Sequence, residues 1–418
     1  MQNIIVEKPY QFIPPYRGTI WPSLVQRLKI IDRYLAKHDG VESYEIRGIE
    51  RLKETLRGGA GVLLAPNHCR YADPLVMSWV AREAKVQLFA MASWHLFHQS
   101  RLQTWAIRML GAFSVFREGI DRQSLDMAVE VLVEAQRPLV VFPEGAVFRT
   151  NDLLRPLLDG VSFLARSAAR KRMKKDGGTI VIHPVAIKYL FHGDVRQSAE
   201  AVLTEIEHRL TWADQGGSTL LERIGNAALA LLALKEIEYF GRAQAGTPID
   251  RQDRLVDHLL SPLEQKWLGS KQQGQLIPRI KQLRSKIVPH LTLPTTTKSD
   301  REQLWRDLSA IYVAQQVASY PPTYLNAPTT VTRVLETVER LEEDLTDRSR
   351  VHRGLHAVVE IGEAIAVSSE KGPRDQEDPV MFQLRTQLQS MLDALAKEAR
   401  PYPANDGSMA SPSGIGAA

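Results

Sequence analysis

The chain has 418 residues, 44% of them hydrophobic and 24% charged, with a formal net charge of +5 and a single cysteine, Cys69. That is enough chain for one large globular domain or two ordinary ones. The mild positive charge permits contact with anionic lipid or phosphate, but lacks the dense basic patches interleaved with aromatics of a nucleic-acid binder, and one cysteine excludes an internal disulfide and any CxxC metal site.

In chain order, residues 1–43 read as an N-terminal segment, irregular to about residue 20, then helical from Leu24 to Ala36 with Leu24, Leu28, Ile31 and Leu35 on one face. Tyr44–Gly48 alternates as a strand, Ile49–Leu56 reads as a helix closed by Gly58-Gly59, and Gly61–Ala65 is a buried strand. A helix over Pro74–Lys85, a strand over Leu88–Ala92, a helix over Trp105–Leu110 and a strand over Phe113–Phe116 follow. Next come a helix over Ser124–Glu134, a buried strand over Pro138–Phe142, a helix over Val161–Lys174 and a strand over Thr179–His183 that resumes past Pro184 at Val185–Tyr189. Strands alternating with helices predict an α/β fold with a mostly parallel sheet flanked by helices.

From about residue 197 to 350 the pattern is helical, with loops near Gln215–Gly217, Pro294–Lys298 and Tyr320–Pro322. Strand patterns return at Leu355–Val359 and Ala364–Val367, then a helix at Val380–Glu398. One reading is an α/β domain of residues 44–196 and 351–400 interrupted by a helical insertion over 197–350; the other is two consecutive domains. The Pro/Gly/Ser-rich tail, 401–418, reads as disordered. The start lacks a signal-peptide pattern, and the longest apolar run, Ala227–Leu234, falls well short of the ~18 residues that span a bilayer. These features predict a cytoplasmic protein, soluble or peripheral on the membrane face.

The chemistry concentrates at Ala65-Pro66-Asn67-His68-Cys69-Arg70-Tyr71-Ala72-Asp73-Pro74, a strand-to-helix turn. A His held by a carboxylate is a general base, and an unperturbed imidazole, with a pKa of about 6.5, is largely neutral near pH 7. Asp73 before Pro74 also reads as an ordinary helix cap. Three more stretches follow: Gly111-Ala112-Phe113-Ser114-Val115-Phe116-Arg117, Phe142-Pro143-Glu144-Gly145, and Val181-Ile182-His183-Pro184-Val185-Ala186. No HExxH, clustered His, P-loop, dinucleotide loop or G-x-S-x-G elbow is present.

Taken in this order, the four stretches resemble the motifs of the glycerolipid acyltransferase family, which includes bacterial lysophosphatidate acyltransferases. Val358–Ile365 resembles the family's last strand pair, which favours the insertion reading. The resemblance implies catalysis by His68 as base and Asp73 as its orienting carboxylate. It implies substrate contacts from Asn67, Arg117, Phe142, Pro143, Glu144, Gly145 and Arg149, with Arg117 on the acceptor's phosphate. It also implies a thioester donor, acyl-CoA or acyl carrier protein, with no cofactor and no metal. The acceptor would be lysophosphatidate, with glycerol 3-phosphate or another lysolipid next. A non-catalytic lipid-binding protein on the same fold, or a thioesterase, is the rival class. Where the family commonly continues its third motif with Thr-Arg-Ser, this chain has Ala146-Val147-Phe148-Arg149. Arg166–Lys175 is either a headgroup-facing basic stretch or a solvated helix end. Trp94, Phe97, Leu102 and Trp105 are either an acyl groove or membrane face, or core.

Overall fold

A computed structural model describes residues 5–210, 212, 217–321, 323–326, 328–370 and 377–403. The expected disordered tail, from residue 404 on, lies outside these residues, as do parts of the expected loops near 215 and 322. The first helix comes in two pieces, α1 (Ile20–Arg27) and α2 (Ile30–His38). The predicted single helix breaks because Lys29 adopts a left-handed φ of 51°. As a result Ile31 and Leu35 are buried while Leu24 and Leu28 stay exposed.

The α/β alternation follows in β1 (Val41–Arg47), α3 (Ile49–Arg57), β2 (Gly61–Pro66), α4 (Asp73–Ala84), β3 (Phe89–Ser93), α5 (Arg101–Met109) and β4 (Ala112–Val115). It continues with α6 (Arg122–Glu134), β5 (Leu139–Val140), α7 (Gly160–Asp176) and β6 (Ile180–Phe191). Six helices come next: α8 (Val195–Arg209), α9 (Leu220–Phe240), α10 (Pro248–Leu268), α11 (Leu276–Leu291), α12 (Lys298–Val317) and α13 (Val331–Thr346). The chain then returns through β7 (Leu355–Ile361) and β8 (Ile365–Ala366) to α14 (Pro379–Ala396).

The strands form one sheet in the order β1-β7-β6-β2-β5-β3-β4, with β8 also on β6. It is parallel except where β7 and β8 run antiparallel to β6. The apolar β2 and the mostly apolar β6, which carries His183 and Lys188, are buried along their whole length, as strands covered on both faces must be. Their side chains alternate between two cores. Val62 and Leu64 of β2 face one core, shared with α3, α4, α8, α9 and α13. Leu63 and Ala65 face the other, shared with α6, α7 and α14. Helices α10, α11 and α12 close around a core of their own, built on Leu259, Leu283 and Leu308. Of the helical stretch between β6 and β7, α8 and α13 therefore lie on the sheet, while α10–α12 stand apart from it.

One strand prediction needs correction. The predicted strand Pro138–Phe142 shortens to Leu139–Val140, and Phe142 already belongs to the loop beyond. The expected continuation of the strand past Pro184 is found, as one strand over Ile180–Phe191. Proline lacks a ladder N–H, but Pro184 sits where the neighbour of β6 changes from β8, paired at Val181 and Ile182, to β7, paired from Val185. Its carbonyl still accepts the Gly362 N–H at 2.8 Å.

Strand β6 outlasts β2, whose last partner is Val185. The freed edge is completed by side chains. Asn67 accepts from the Ile187 N–H at 2.7 Å and donates to its carbonyl at 3.0 Å. Asn151 does the same at Tyr189, at 2.9 and 2.8 Å. Thr332 of α13 accepts from the Phe191 N–H at 3.1 Å. Among the described residues no helix is long and apolar enough to cross a membrane. Asn151→Leu leaves a buried N–H and C=O at Tyr189 without partners, and urea unfolding should register a loss of about 2–4 kcal/mol.

Candidate active site

The turn between β2 and α4 is organised by one carboxylate. Asp73 opens α4, but it does not cap the helix forward; Ala72 holds the cap position. Its Oδ2 points back into the turn, accepting from the Cys69 N–H at 2.8 Å, the Arg70 N–H at 2.9 Å and the His68 Nδ1 at 2.9 Å. Its Oδ1 accepts from the Tyr189 hydroxyl of β6 at 2.7 Å. A carboxylate oxygen accepts, so the His68 Nδ1 carries a proton, and the Nε2 turned away from Asp73 is the atom that can act as a base. No described residue hydrogen-bonds that Nε2. Asp73 is wholly buried, whereas the His68 side chain keeps 15% of its surface open. Phe142 lies along the other side of the imidazole, 4.2 Å between ring centres.

Glu144 ties this turn to the loop after β5. It is buried, and its two oxygens accept from the backbone N–H of His68 at 2.6 Å and of Arg155 at 3.0 Å. Burial pushes its carboxyl up to about 8, against the opposing pull of those two donors. Gly145 has φ +70°, which favours glycine, and an added Cβ would stand 2.6 Å from the Leu158 Cδ1, which would have to shift. Pro143 anchors the same loop by accepting from the Leu158 N–H at 2.8 Å.

Arg117, at the end of β4, donates to the Gly145 carbonyl. No described carboxylate pairs with it; the neighbouring Glu118 is taken by Arg284 of α11. Burial and the Arg284 charge push the Arg117 guanidinium down to about 10. Burial and the same two guanidinium groups hold His95 at about 4. The result is an electropositive corner beside the Phe142–Gly145 loop.

Helix α13 approaches from the other side. Its Glu339 pairs with Arg70 at 2.7 Å, and its Glu343 pairs with Arg149 at 2.6 Å and accepts from the Tyr71 hydroxyl at 3.2 Å. Asn67 and Arg149, both expected at the substrate, have their polar ends committed to protein partners, which supports positioning roles for them. Of the basic stretch, Arg166 is committed to Asp378 and Arg172 to the Gly59 carbonyl, leaving Arg170, Lys171, Lys174 and Lys175 at the surface. Trp94 and Phe97 are core, while Leu102 and Trp105 are exposed.

Sequence reasoning missed Tyr189, Arg70 and Glu339. Tyr189 sits in an apolar strand and reads as core. Glu336, Glu339 and Glu343 did leave a signal, acids at helical spacing on the same face as Leu335 and Val338.

The acyltransferase family model matches residues 43–188, from β1 into β6. The matched segment is similar to the acyltransferase family. It carries His68, Asp73, Arg117 and the Phe142–Gly145 loop. A curated 1-acyl-sn-glycerol-3-phosphate acyltransferase from Streptococcus pneumoniae is 34% identical over 85 residues, 20% of this chain and 31% of that relative. The chain thus spans about a third of the length of the curated relative it matches.

Because the folded Glu144 carboxyl sits near 8 and the unfolded one near 4.5, the native state keeps a proton that the unfolded chain releases between those values. That contribution to stability is complete below pH 4.5 and is lost as pH rises through 8, with a slope of at most ~1.4 kcal/mol per pH unit. In Glu144→Gln the slope disappears. One backbone N–H then faces an amide NH2, and unfolding at neutral pH should show a loss of about 1–3 kcal/mol.

Proposed function

We propose that this protein transfers a fatty acyl group from a thioester donor, acyl-CoA or acyl carrier protein, to a hydroxyl of a glycerophospholipid precursor, lysophosphatidate foremost. The observation that carries the reading is the His68 imidazole, oriented through Nδ1 by a buried carboxylate with Nε2 left for a substrate proton. In this reading Nε2 takes the acceptor's hydroxyl proton as its oxygen attacks the thioester carbonyl. The new C–O bond forms, the C–S bond breaks, and the imidazolium returns the proton to the departing thiolate. Ester and free thiol result, with no covalent enzyme intermediate. Asp73 stabilises the imidazolium as the carboxylate of a serine-protease triad does.

The acceptor's phosphate fits the corner formed by Arg117 and Arg284. A guanidinium free of any described carboxylate suits a dianionic headgroup, which supplies the counter-charge the protein withholds. With Arg149 held by α13, the corner at Arg117 takes over the part that the altered third motif leaves open. The relative from Streptococcus pneumoniae, named for acylation of 1-acyl-sn-glycerol 3-phosphate, supports this acceptor. Phe142 and Pro143 line the approach to the base, while Glu144 and Gly145 shape it.

Peripheral attachment to the cytoplasmic membrane face belongs to the same proposal. Ile20, Trp21, Leu24 and Leu28 of α1 and Leu102 and Trp105 of α5 are exposed, and the Trp21 and Trp105 rings meet edge to face at 5.3 Å. Arg27, Lys29 and Arg101 are exposed on or beside the same helices. Aromatic residues flanked by cations suit the headgroup layer of an anionic bilayer.

His68→Ala should lower kcat/KM by about 10²–10⁴ with the fold intact, read by thiol release and circular dichroism. Arg117→Ala should raise the KM for lysophosphatidate by about 10–100-fold and leave that for an uncharged monoacylglycerol within twofold; equal losses for both would remove Arg117 from the phosphate site. Trp21→Ser with Trp105→Ser should abolish co-sedimentation with phosphatidylglycerol vesicles while leaving turnover of a short-chain soluble donor unchanged.

A further inference from the structure

The general base rests on Asp73, and Asp73 rests on a residue outside the turn. Tyr189 is wholly buried on β6, with its hydroxyl donating to Asp73 Oδ1 at 2.7 Å. Its backbone is pinned on one edge by Asn151 and on the other by β7. Its ring is covered by the Arg70 guanidinium, 5.5 Å from the ring centre, and Arg70 is in turn held by Glu339 of α13. A phenol so fixed has one geometry in which to donate.

We propose that Tyr189 is a positioning residue for acyl transfer: it fixes the second oxygen of Asp73 and sets how strongly that carboxylate holds the His68 imidazolium. The other titratable or charged groups near the carboxylate are His68, Cys69 and Arg70 in the turn, Glu144 after β5 and Asp39 after α2. Of the side chains outside the turn, Tyr189 hydrogen-bonds it directly. Burial and the neighbouring carboxylate push the Tyr189 phenol well above its usual range, so it remains a donor at every working pH.

The direction of the effect follows. A hydrogen bond donated to Oδ1 spreads the carboxylate's charge. Without it, more of that charge falls on the imidazolium, which then loses its proton at higher pH. Tyr189→Phe keeps the ring and removes the donor.

The test is a nitrogen NMR titration of ¹⁵N-histidine-labelled full-length protein, with the His68 signal assigned by His68→Gln, run beside kcat/KM against pH. In Tyr189→Phe the His68 midpoint and the acid limb should both move up by about half a unit to one unit. The kcat should fall about tenfold and KM stay within twofold. Wild-type protein carrying 3-fluorotyrosine, whose more acidic phenol donates more strongly, should move the midpoint down, and this decides the matter if Tyr189→Phe does not fold. An unmoved midpoint in both preparations overturns the proposal, as does a lower melting temperature with unchanged kcat and profile. The inference rests on the acyltransferase reading only in its kinetic arm. A midpoint that moves in a protein without turnover would sink that reading and leave the link from Tyr189 to His68 standing.

Discussion

The structure depends on one buried carboxylate. Asp73 has no solvent contact, and an ionised carboxylate in such a place costs several kcal/mol unless its oxygens are satisfied. Its donors are two backbone N–H groups of its own turn, the imidazole of His68, the hydroxyl of Tyr189 from the sheet and, more weakly, the Cys69 thiol at 3.9 Å. The turn therefore takes its shape from the charge it encloses. The sheet must deliver Tyr189 for that charge to be held, and the imidazole gains its tautomer and direction from the same oxygen.

Around this centre the structure repeatedly replaces missing strand with side chain. Strand β2 ends where the His68 turn begins, while β6 runs on. Asn67 and Asn151 supply the hydrogen bonds that further strand would have made, and so fix the motif turn and the loop after Gly145 to one edge. Glu144 joins those two loops to each other through their backbone N–H groups. The helical stretch between β6 and β7 is part of this support. Its α13 neutralises Arg70 and Arg149, and its α11 brings Arg284 beside Arg117.

Much of this was legible in the sequence. The apolar runs of β2 and β6 gave strands, and the alternation with helices gave an α/β fold. His68, Asp73, Arg117 and the Phe142–Gly145 loop stood out because four stretches in order resemble the acyltransferase motifs; singly, each also reads as an ordinary turn, cap or strand end. What stayed hidden depends on long-range pairing. Lys29 breaks a helix through its own backbone conformation, which helical spacing does not register. The strand was legible through Pro184, but not the reason the proline is tolerated, which is β8 giving way to β7 beside it. Tyr189 looked like core, since only the crossing of β6 behind the turn gives its hydroxyl a partner. Asn67 and Arg149 were visible as polar residues near the motifs, but the partners that claim them lie about 120 and 190 residues away in sequence.

The most direct measurement is thiol release from a long-chain acyl-CoA by the purified protein, with and without lysophosphatidate, with the ester product quantified in parallel. The account predicts release that depends on the acceptor, one thiol for each phosphatidate formed. Release at the same rate without acceptor, or no ester formed with either acyl-CoA or acyl carrier protein as donor, would contradict it.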